Sequence, residues 1–456
     1  MNARPQAYRP QSTILELGSA FYDAVDAADF PQTILRFRND RAAAQVGLDG
    51  LSDDAWIAHF GRFEPLAGTL QQPLALRYHG HQFRVYNPEL GDGRGFLFAQ
   101  LLDDRGRLLD LGTKGSGQTP YSRFGDGRLT LKGGVREVLA TEMLDALHVN
   151  TSRSFSLIET GEALARGDEP SPTRSAVLVR LSHSHVRIGT FQRLAYLRDE
   201  GGLRALTRYT LRHLYGEEPS DNDAPIRLLE LVVARTATLA ASYMAAGFVH
   251  GVLNSDNINI TGESFDYGPW RFAPRWDPAF VAAYFDHAGL YAFGRQPEAI
   301  HWDAMQLAVS LRPLCDAEPL IAALDTFGER YQHAVGDAIL WRLGVVPRDP
   351  DTDRALVQIV EKALRGAGTP IDTFFFDAFG GTLPNHYPDF WTETRAALAS
   401  YAPRADRSHR YWQGPPSSML VEEVEAIWAA IAERDDWSLF QAKIASIRTM
   451  GNALSG

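Results

Sequence analysis

The sequence predicts an α+β fold of two lobes, a small β-rich lobe followed by a larger helical one. Three observations carry this. Residues 90 to about 185 are dense in strand patterns and hold one well-formed helix. Beyond Phe191 apolar residues recur mostly at helical spacing. Early in that helical half, residues 250–275 break into short polar and strand-like pieces.

Residues 1–75 mix short helical patterns (19–27 and 53–60) with prolines and read as an N-terminal extension. Residues 76–190 form the expected β-rich lobe. A turn at 90–95 precedes a strand at 96–102, a second turn at 103–106 follows, and 108–114 returns as a strand. After the glycine-dense loop 115–120, apolar residues at Val135, Val138, Leu139, Met143, Ala146 and Leu147 mark a helix. Residues 154–160 and 176–181 read as further strands. The helical lobe, 191–400, carries helical patterns at 203–215, 227–246, 301–311, 319–343 and 353–365. A polar, proline-containing stretch at 403–416 then leads into a C-terminal helical segment within 401–456, with its pattern at 416–434.

Composition narrows the classes. With 45% hydrophobic and 22% charged residues the chain is globular and not mainly disordered. Its 45 Lys and Arg against 56 Asp and Glu leave a net charge of −11, which argues against a dedicated nucleic-acid binder. A local basic cleft is still compatible with that total. The single cysteine, Cys315, excludes an intrachain disulfide and any multi-cysteine zinc or iron–sulfur site, and fits a reducing cytoplasm. The polar N-terminus has no apolar core of a signal peptide. The most hydrophobic stretch, 228–253, contains Glu230, Arg235 and His250 and is broken by Gly247 and Gly251. It is expected to be a buried helix and loop and not a membrane span. No internal repeat is present.

Three clusters carry chemistry. Gly91-Asp92-Gly93-Arg94-Gly95 lies between strand patterns. Such glycines let backbone approach a phosphate and Arg94 adds a cationic fork, although Asp-Gly alone is a common hairpin turn. Lys114 ends the strand that follows, and Glu137 lies 23 residues on, in the next helix. Kinase-like enzymes brace a phosphate-binding strand lysine with a helix glutamate. At ~100° per residue Glu137 falls roughly opposite the apolar stripe and Glu142 within it, so spacing leaves both as partners.

The third cluster is the most specific. His250-Gly251-Val252-Leu253-Asn254-Ser255-Asp256-Asn257 is followed by Asp266-Tyr267-Gly268. His250 and Asn257 keep the seven-residue separation of the protein-kinase H-R-D-x-x-x-x-N loop, and D-Y-G stands where kinases have D-F-G. Asn and Asp oxygens at this spacing suit Mg²⁺ or Mn²⁺ bridging phosphates. At the position of the kinase catalytic Asp, however, stands Val252, and Asp256 is the only acid left in the loop. Arg180 and Arg187, with Arg94, Arg123 and Arg128, are candidates for a cationic cleft. His183 and His185 would share one face of a strand, but no third metal ligand can be placed beside them. A structural role is preferred for that pair.

Together these motifs resemble the selenoprotein O family, pseudokinase-fold protein adenylyltransferases. The resemblance rests on Tyr78-His79-Gly80-His81-Gln82-Phe83, Leu90-Gly91-Asp92-Gly93-Arg94, the run from Lys114 to Arg123, Asp126-Gly127-Arg128 and Arg136-Glu137. It continues through the loop from His250 to Asn257, Asp266-Tyr267-Gly268-Pro269, Gln296-Pro297 and Trp302, and is dense from about 73 to 315. It implies a kinase-like two-lobed fold with ATP bound flipped relative to ordinary kinases. Gly91, Gly93, Arg94, Lys114, Asp126, Gly127, Arg180, Arg187 and Asp266 would contact the ATP, and Glu137 would be the brace. Asn257 and Asp266 would ligate Mg²⁺ or Mn²⁺, and Asp256 would accept the proton. The implied activity is transfer of AMP from ATP to Ser, Thr or Tyr hydroxyls of proteins, itself included, with no nucleic-acid or membrane partner.

Two departures stand out. The family's glycine after His-Gln-Phe is Arg84 here, and the end of the chain has neither the selenocysteine nor the cysteine of many members. Two other readings compete. A phosphotransferase of the aminoglycoside-kinase type shares a His-Gly-x-Leu…Asn loop but needs the Asp that Val252 replaces. A silent nucleotide-binding scaffold would have no need of Lys114, Asn257 and Asp266.

Overall fold

The computed structural model describes residues 7–167 and 169–456. The strands among these residues are thirteen: β1 (Pro10–Gln11), β2 (Tyr22–Ala24), β3 (Ile34–Arg38), β4 (Leu74–Leu76), β5 (Gly80–Gln82), β6 (Val85–Asn87), β7 (Leu97–Leu102), β8 (Leu108–Lys114), β9 (Leu129–Thr130), β10 (Arg153–Leu164), β11 (Thr173–Ser182), β12 (Phe248–Val249) and β13 (Arg271–Phe272). Nine of them make one antiparallel sheet in the order β2-β4-β7-β8-β11-β10-β3, with β1 on β7 and β9 on β11. The register sets Lys114 of β8 opposite Leu178 of β11 and Gly112 opposite Arg180, so both cations arise from neighbouring central strands.

Both faces of this sheet are covered, because side chains alternate across it. Leu97, Leu108, Leu157 and Leu178 pack with Val135, Val138 and Leu139 of the long helix that follows β9. Phe98, Leu109, Leu111 and Val179 face the other way, against Trp56 and Phe60. Those two belong to α2 (Asp53–Phe60), which follows α1 (Asp40–Gln45); the helix after β9 is α3 (Leu131–Ala146). Ser52 and Thr130 cap α2 and α3, each accepting a backbone N–H three residues on.

The expected N-terminal extension is part of the sheet lobe. Residues 10–76 supply four strands, and the helical pattern at 19–27 is instead β2 with its flanking loops. Strands of two to five residues are too short for alternation to declare itself in sequence. A second correction concerns 90–95. This turn does not close a hairpin, since β6 pairs with β5 and not with β7.

The helical lobe holds α4 (Ile188–Tyr196), α5 (Glu200–Tyr209) with a π-helical continuation Thr210–Tyr215, α6 (Ala224–Ala246), α7 (Gln296–Leu311), α8 (Ala317–Asp325), α9 (Phe327–Leu343), α10 (Pro350–Ala367), α11 (Ile371–Ala378) and α12 (Thr392–Leu398). The continuous helical pattern at 319–343 is broken at Thr326, which ends α8. Among the described residues α6 is the one helix long and apolar enough to cross a membrane. It lies at the centre of the lobe against α7, α8 and α9, with Leu228, Leu229, Val232 and Val233 fully buried.

The C-terminal helices α13 (Val421–Arg434) and α14 (Ser438–Ser455) return to the β-rich lobe and pack on α3. Ile447 and Met450 join its apolar core, and Arg448 forms a two-pronged ion pair with Glu142 at 2.7 Å on both arms.

Candidate active site

A cavity of about 690 Å³ opens beside the ends of the central strands. Seven basic side chains line it against three acidic ones, so a local cationic cleft sits inside a chain of net charge −11. Arg94 and Arg123 are exposed on its rim and have no anionic partner among the described residues.

Lys114 anchors the inner wall. It is buried and pairs with Glu137 of α3, which is itself 1% exposed. Its Nζ also donates to Asp266 Oδ1 at 2.7 Å. The two partners left open by spacing are thereby distinguished: Glu137 faces Lys114, whereas Glu142 faces Arg448. Helical periodicity misplaced Glu137 because α3 is sandwiched between the sheet and the C-terminal helices. Even the side away from its main stripe is buried.

Asp266 sits at a positive φ of 64°, held by cations. Besides Lys114, Arg180 Nη1 donates to it at 3.4 Å and Arg187 Nη1 stands 3.8 Å from its second oxygen. Burial alone would raise this carboxyl, but Lys114, Arg180, Arg187 and Arg94 outweigh it and hold it well below the usual carboxylate range. Arg187 is the hub of the floor. It is sandwiched between Tyr78 and Phe265, with ring centroids at 4.3 and 4.8 Å. It donates to the Asp256 carbonyl at 3.0 Å and to Asp92 at 3.3 Å. One guanidinium thus ties the His250-to-Asn257 loop to Asp266.

His250 sets the orientation of that segment. Its backbone N–H donates to Gln296, and its ring Nε2 donates to the Phe265 carbonyl at 3.0 Å, one residue before Asp266. The His250-to-Asn257 loop ends in a short 3₁₀ turn, Ser255–Asn257. Asp256 is 7% exposed, and its Oδ1 is buried with no hydrogen-bond partner. Burial, partly offset by Arg187, raises it to about 7. Asn257 donates its amide to the Val252 carbonyl at 3.1 Å, an arrangement that uses the nitrogen and leaves the oxygen available.

Gly91, Gly93, Arg94, Asp126, Gly127 and Arg180 line the cavity together with Lys114, Arg187 and Asp266, whereas Asp256 and Asn257 are not among its lining residues. The glycines are required by packing. A Cβ on Gly91 would lie 2.3 Å from Tyr121 Cγ, and one on Gly127 would lie 2.2 Å from the Gly117 carbonyl. The 90–95 turn is therefore latched beneath the loop from Gly115 to Gly125, with Thr119 and Ser122 donating to the carbonyls of Asp92 and Gly93. Asp126 differs from expectation in one respect: its carboxylate is engaged by Arg166 at 2.8 and 3.1 Å.

Asp92 and Tyr78 stand within motifs quoted above but, like Phe265, have no role assigned from the sequence. Asp92 looked like a turn former but is buried, accepting from the Leu76 N–H and from Arg187. The backbone N–H of His183 donates to Glu263 and that of His185 to Asp110 Oδ2 at 2.9 Å, and among the described residues no group of three or more potential metal-ligating side chains occurs.

A sheet lysine braced by a helix glutamate, facing a D-Y-G aspartate across a cleft between two lobes, defines a kinase-like transferase without the usual phosphotransfer carboxylate. More narrowly, the chain belongs to the protein adenylyltransferase SelO family, whose model matches residues 6–393. It is an enzyme of the nucleotidyltransferase class. Relatives described as protein nucleotidyltransferase YdiU align along nearly all of it. The protein from Gloeobacter violaceus is 46% identical over 95% of this chain and 93% of its own length. Those from Synechococcus elongatus (43%; 93% and 92%) and Synechocystis (41%; 95% and 96%) are similar. A rhoptry antigen kinase domain of Toxoplasma gondii covers 64% of this chain and 84% of its own, at 12% identity and a TM-score of 0.31.

Proposed function

We propose that this enzyme transfers AMP from ATP to Ser, Thr or Tyr hydroxyls of proteins, itself included, with Mg²⁺ or Mn²⁺ and with ATP flipped relative to ordinary kinases. One observation carries the reading. The kinase lysine, glutamate and D-Y-G aspartate are assembled, while the phosphotransfer base is replaced by Val252 and a carboxyl at about 7 stands four residues further on.

The donor chemistry fits a hard divalent cation. Asp266 offers a carboxylate kept ionised by its neighbours, and Asn257 offers an amide oxygen. Two protein oxygens suit Mg²⁺ or Mn²⁺, which complete their shell with phosphate oxygens and water. When bound, such an ion neutralises phosphate charge and polarises the phosphoryl group under attack.

The chain's own groups do the rest. Lys114, Arg94 and Arg123 supply cations to the phosphates, and Arg180 and Arg187 keep the floor positive. Asp256 takes the proton from the acceptor hydroxyl as that hydroxyl's oxygen attacks the α-phosphorus. The new bond is oxygen to α-phosphorus, the bond to the β-phosphate's bridging oxygen breaks, and pyrophosphate leaves. A carboxyl near 7 is poised for this, since a base works best with its pKa close to the working pH.

The test is to incubate the protein with ATP labelled at the α- or the γ-phosphate and follow label into protein. Incorporation from the α-position alone is expected. Incorporation from the γ-position alone means ordinary phosphotransfer and overturns the reading.

A further inference from the structure

The β5–β6 hairpin, which carries the Tyr78-to-Phe83 motif, stands off the main sheet and docks on the base loop. Three consecutive loop residues meet it. Phe83 N–H donates to Asn254 Oδ1 at 3.0 Å and His81 N–H donates to Ser255 Oγ at 2.7 Å. A Cβ on Gly80 would lie 2.9 Å from Asp256 Cβ. Tyr291 OH donates to the same Asn254 oxygen at 2.7 Å.

The hairpin tip is held in an unusual shape. Phe83 and Arg84 both have positive φ, 49° and 64°, a region that bulky residues rarely occupy. Arg84 is secured by Glu298 at 3.1 Å and by the Trp302 ring. The outcome is that Phe83 is kept partly in solvent instead of folding inward. Its ring centroid lies 5.8 Å from Phe285, which in turn is 5.1 Å from Tyr284. Phe83 is 36%, Phe285 40% and Tyr284 80% exposed. A contiguous aromatic ledge is thus built against a residue two positions before Asp256. Exposed apolar patches of this kind mark interaction surfaces, and aromatic anchors dominate binding energy.

We infer that this ledge docks the acceptor-bearing segment of the protein substrate, and that it selects an aromatic or large aliphatic residue beside the acceptor hydroxyl. The inference rests on the reading of Asp256 as the proton acceptor. A hydroxyl within hydrogen-bond reach of Asp256 brings its own chain neighbours towards the hairpin tip bonded to Asn254, where Phe83, Phe285 and Tyr284 are exposed. The charges at its edge, Arg84, Arg295 and Glu298, already satisfy one another, so the ledge discriminates by apolar contact.

The experiment measures binding of a fluorescein-labelled nonapeptide with a central tyrosine flanked by phenylalanines in a glycine–serine background. Its control has serine flanks. Anisotropy is recorded with protein holding Mn²⁺ and α,β-methylene-ATP. The phenylalanine-flanked peptide is expected to bind about tenfold tighter, and Tyr284→Ser/Phe285→Ser to abolish that preference. Calorimetric affinity for the nucleotide should be unchanged in this variant. Equal affinity of the two peptides for the unaltered protein, or a preference that survives the double substitution, overturns the ledge. Because binding is read without turnover, label arriving only from the γ-phosphate would refute the adenylyl reaction and still leave this comparison to decide the ledge.

Discussion

Lys114 Nζ lies 2.7 Å from Asp266 Oδ1 while the same ammonium is held by Glu137. One cation therefore links a sheet strand, a helix of the same lobe and the D-Y-G loop that follows the His250-to-Asn257 loop. Asp266 is the counter-charge for Lys114 and Arg180, and Arg187 stands close by.

Replacing Asp266 by Ala is accordingly expected to do two things. ATP–metal affinity falls sharply, read by calorimetry. Stability of the protein without nucleotide also falls, by about 1–3 kcal/mol, because the buried cations Lys114, Arg180 and Arg187 lose an anion they share. Urea unfolding of the variant checks the second effect.

The brace and its rival make a paired test. Glu137→Gln should raise the KM for ATP and lower kcat/KM, since Lys114 loses its fixed partner. Glu142→Gln should leave ATP binding unchanged, because Glu142 answers to Arg448. Equal effects on ATP in the two variants would contradict this assignment.

Asp256→Asn should lower turnover about 10²- to 10⁴-fold while nucleotide binding persists. The unaltered enzyme should gain activity with rising pH along a limb near 7, where Asp256 loses its proton. The stability sign is the opposite. Burial raises this carboxyl from 3.8 to about 7, so between those values the folded state holds a proton that the unfolded state lacks. Its contribution is present at low pH and is lost as pH rises through about 7. The Asn variant, unable to ionise, should therefore lose less stability than the unaltered enzyme between pH 5 and pH 8, measured by denaturant titration.

Arg448→Ala removes the clasp between α14 and α3. It leaves Glu142, nearly buried, with only Asn39 as a weak donor at 3.3 Å. A loss of about 1–3 kcal/mol is expected, seen as a lower urea midpoint, with turnover per folded molecule little changed. A variant as stable as the parent would show that the Arg448–Glu142 pair adds nothing net to the docking of α14 on α3.

The local signals were readable where they were long or tightly spaced. The strand at 108–114 and the helix at 53–60 coincide with β8 and α2 to the residue. The order lysine, glutamate, His-to-Asn loop and D-Y-G is a property of sequence separation, so it needed no coordinates. Tertiary structure decided everything that depends on which distant segment supplies a neighbour. It placed residues 10–76 in the sheet, because strands that short are specified by their partners and not by their own alternation. It separated Glu137 from Glu142, because α3 is buried on more than one side and the C-terminal helix brings Arg448 to only one of the two. It also made Asp92 a buried anchor for Arg187, since the energy of a charge depends on the cations and the dielectric around it, and both come from residues far away in the chain.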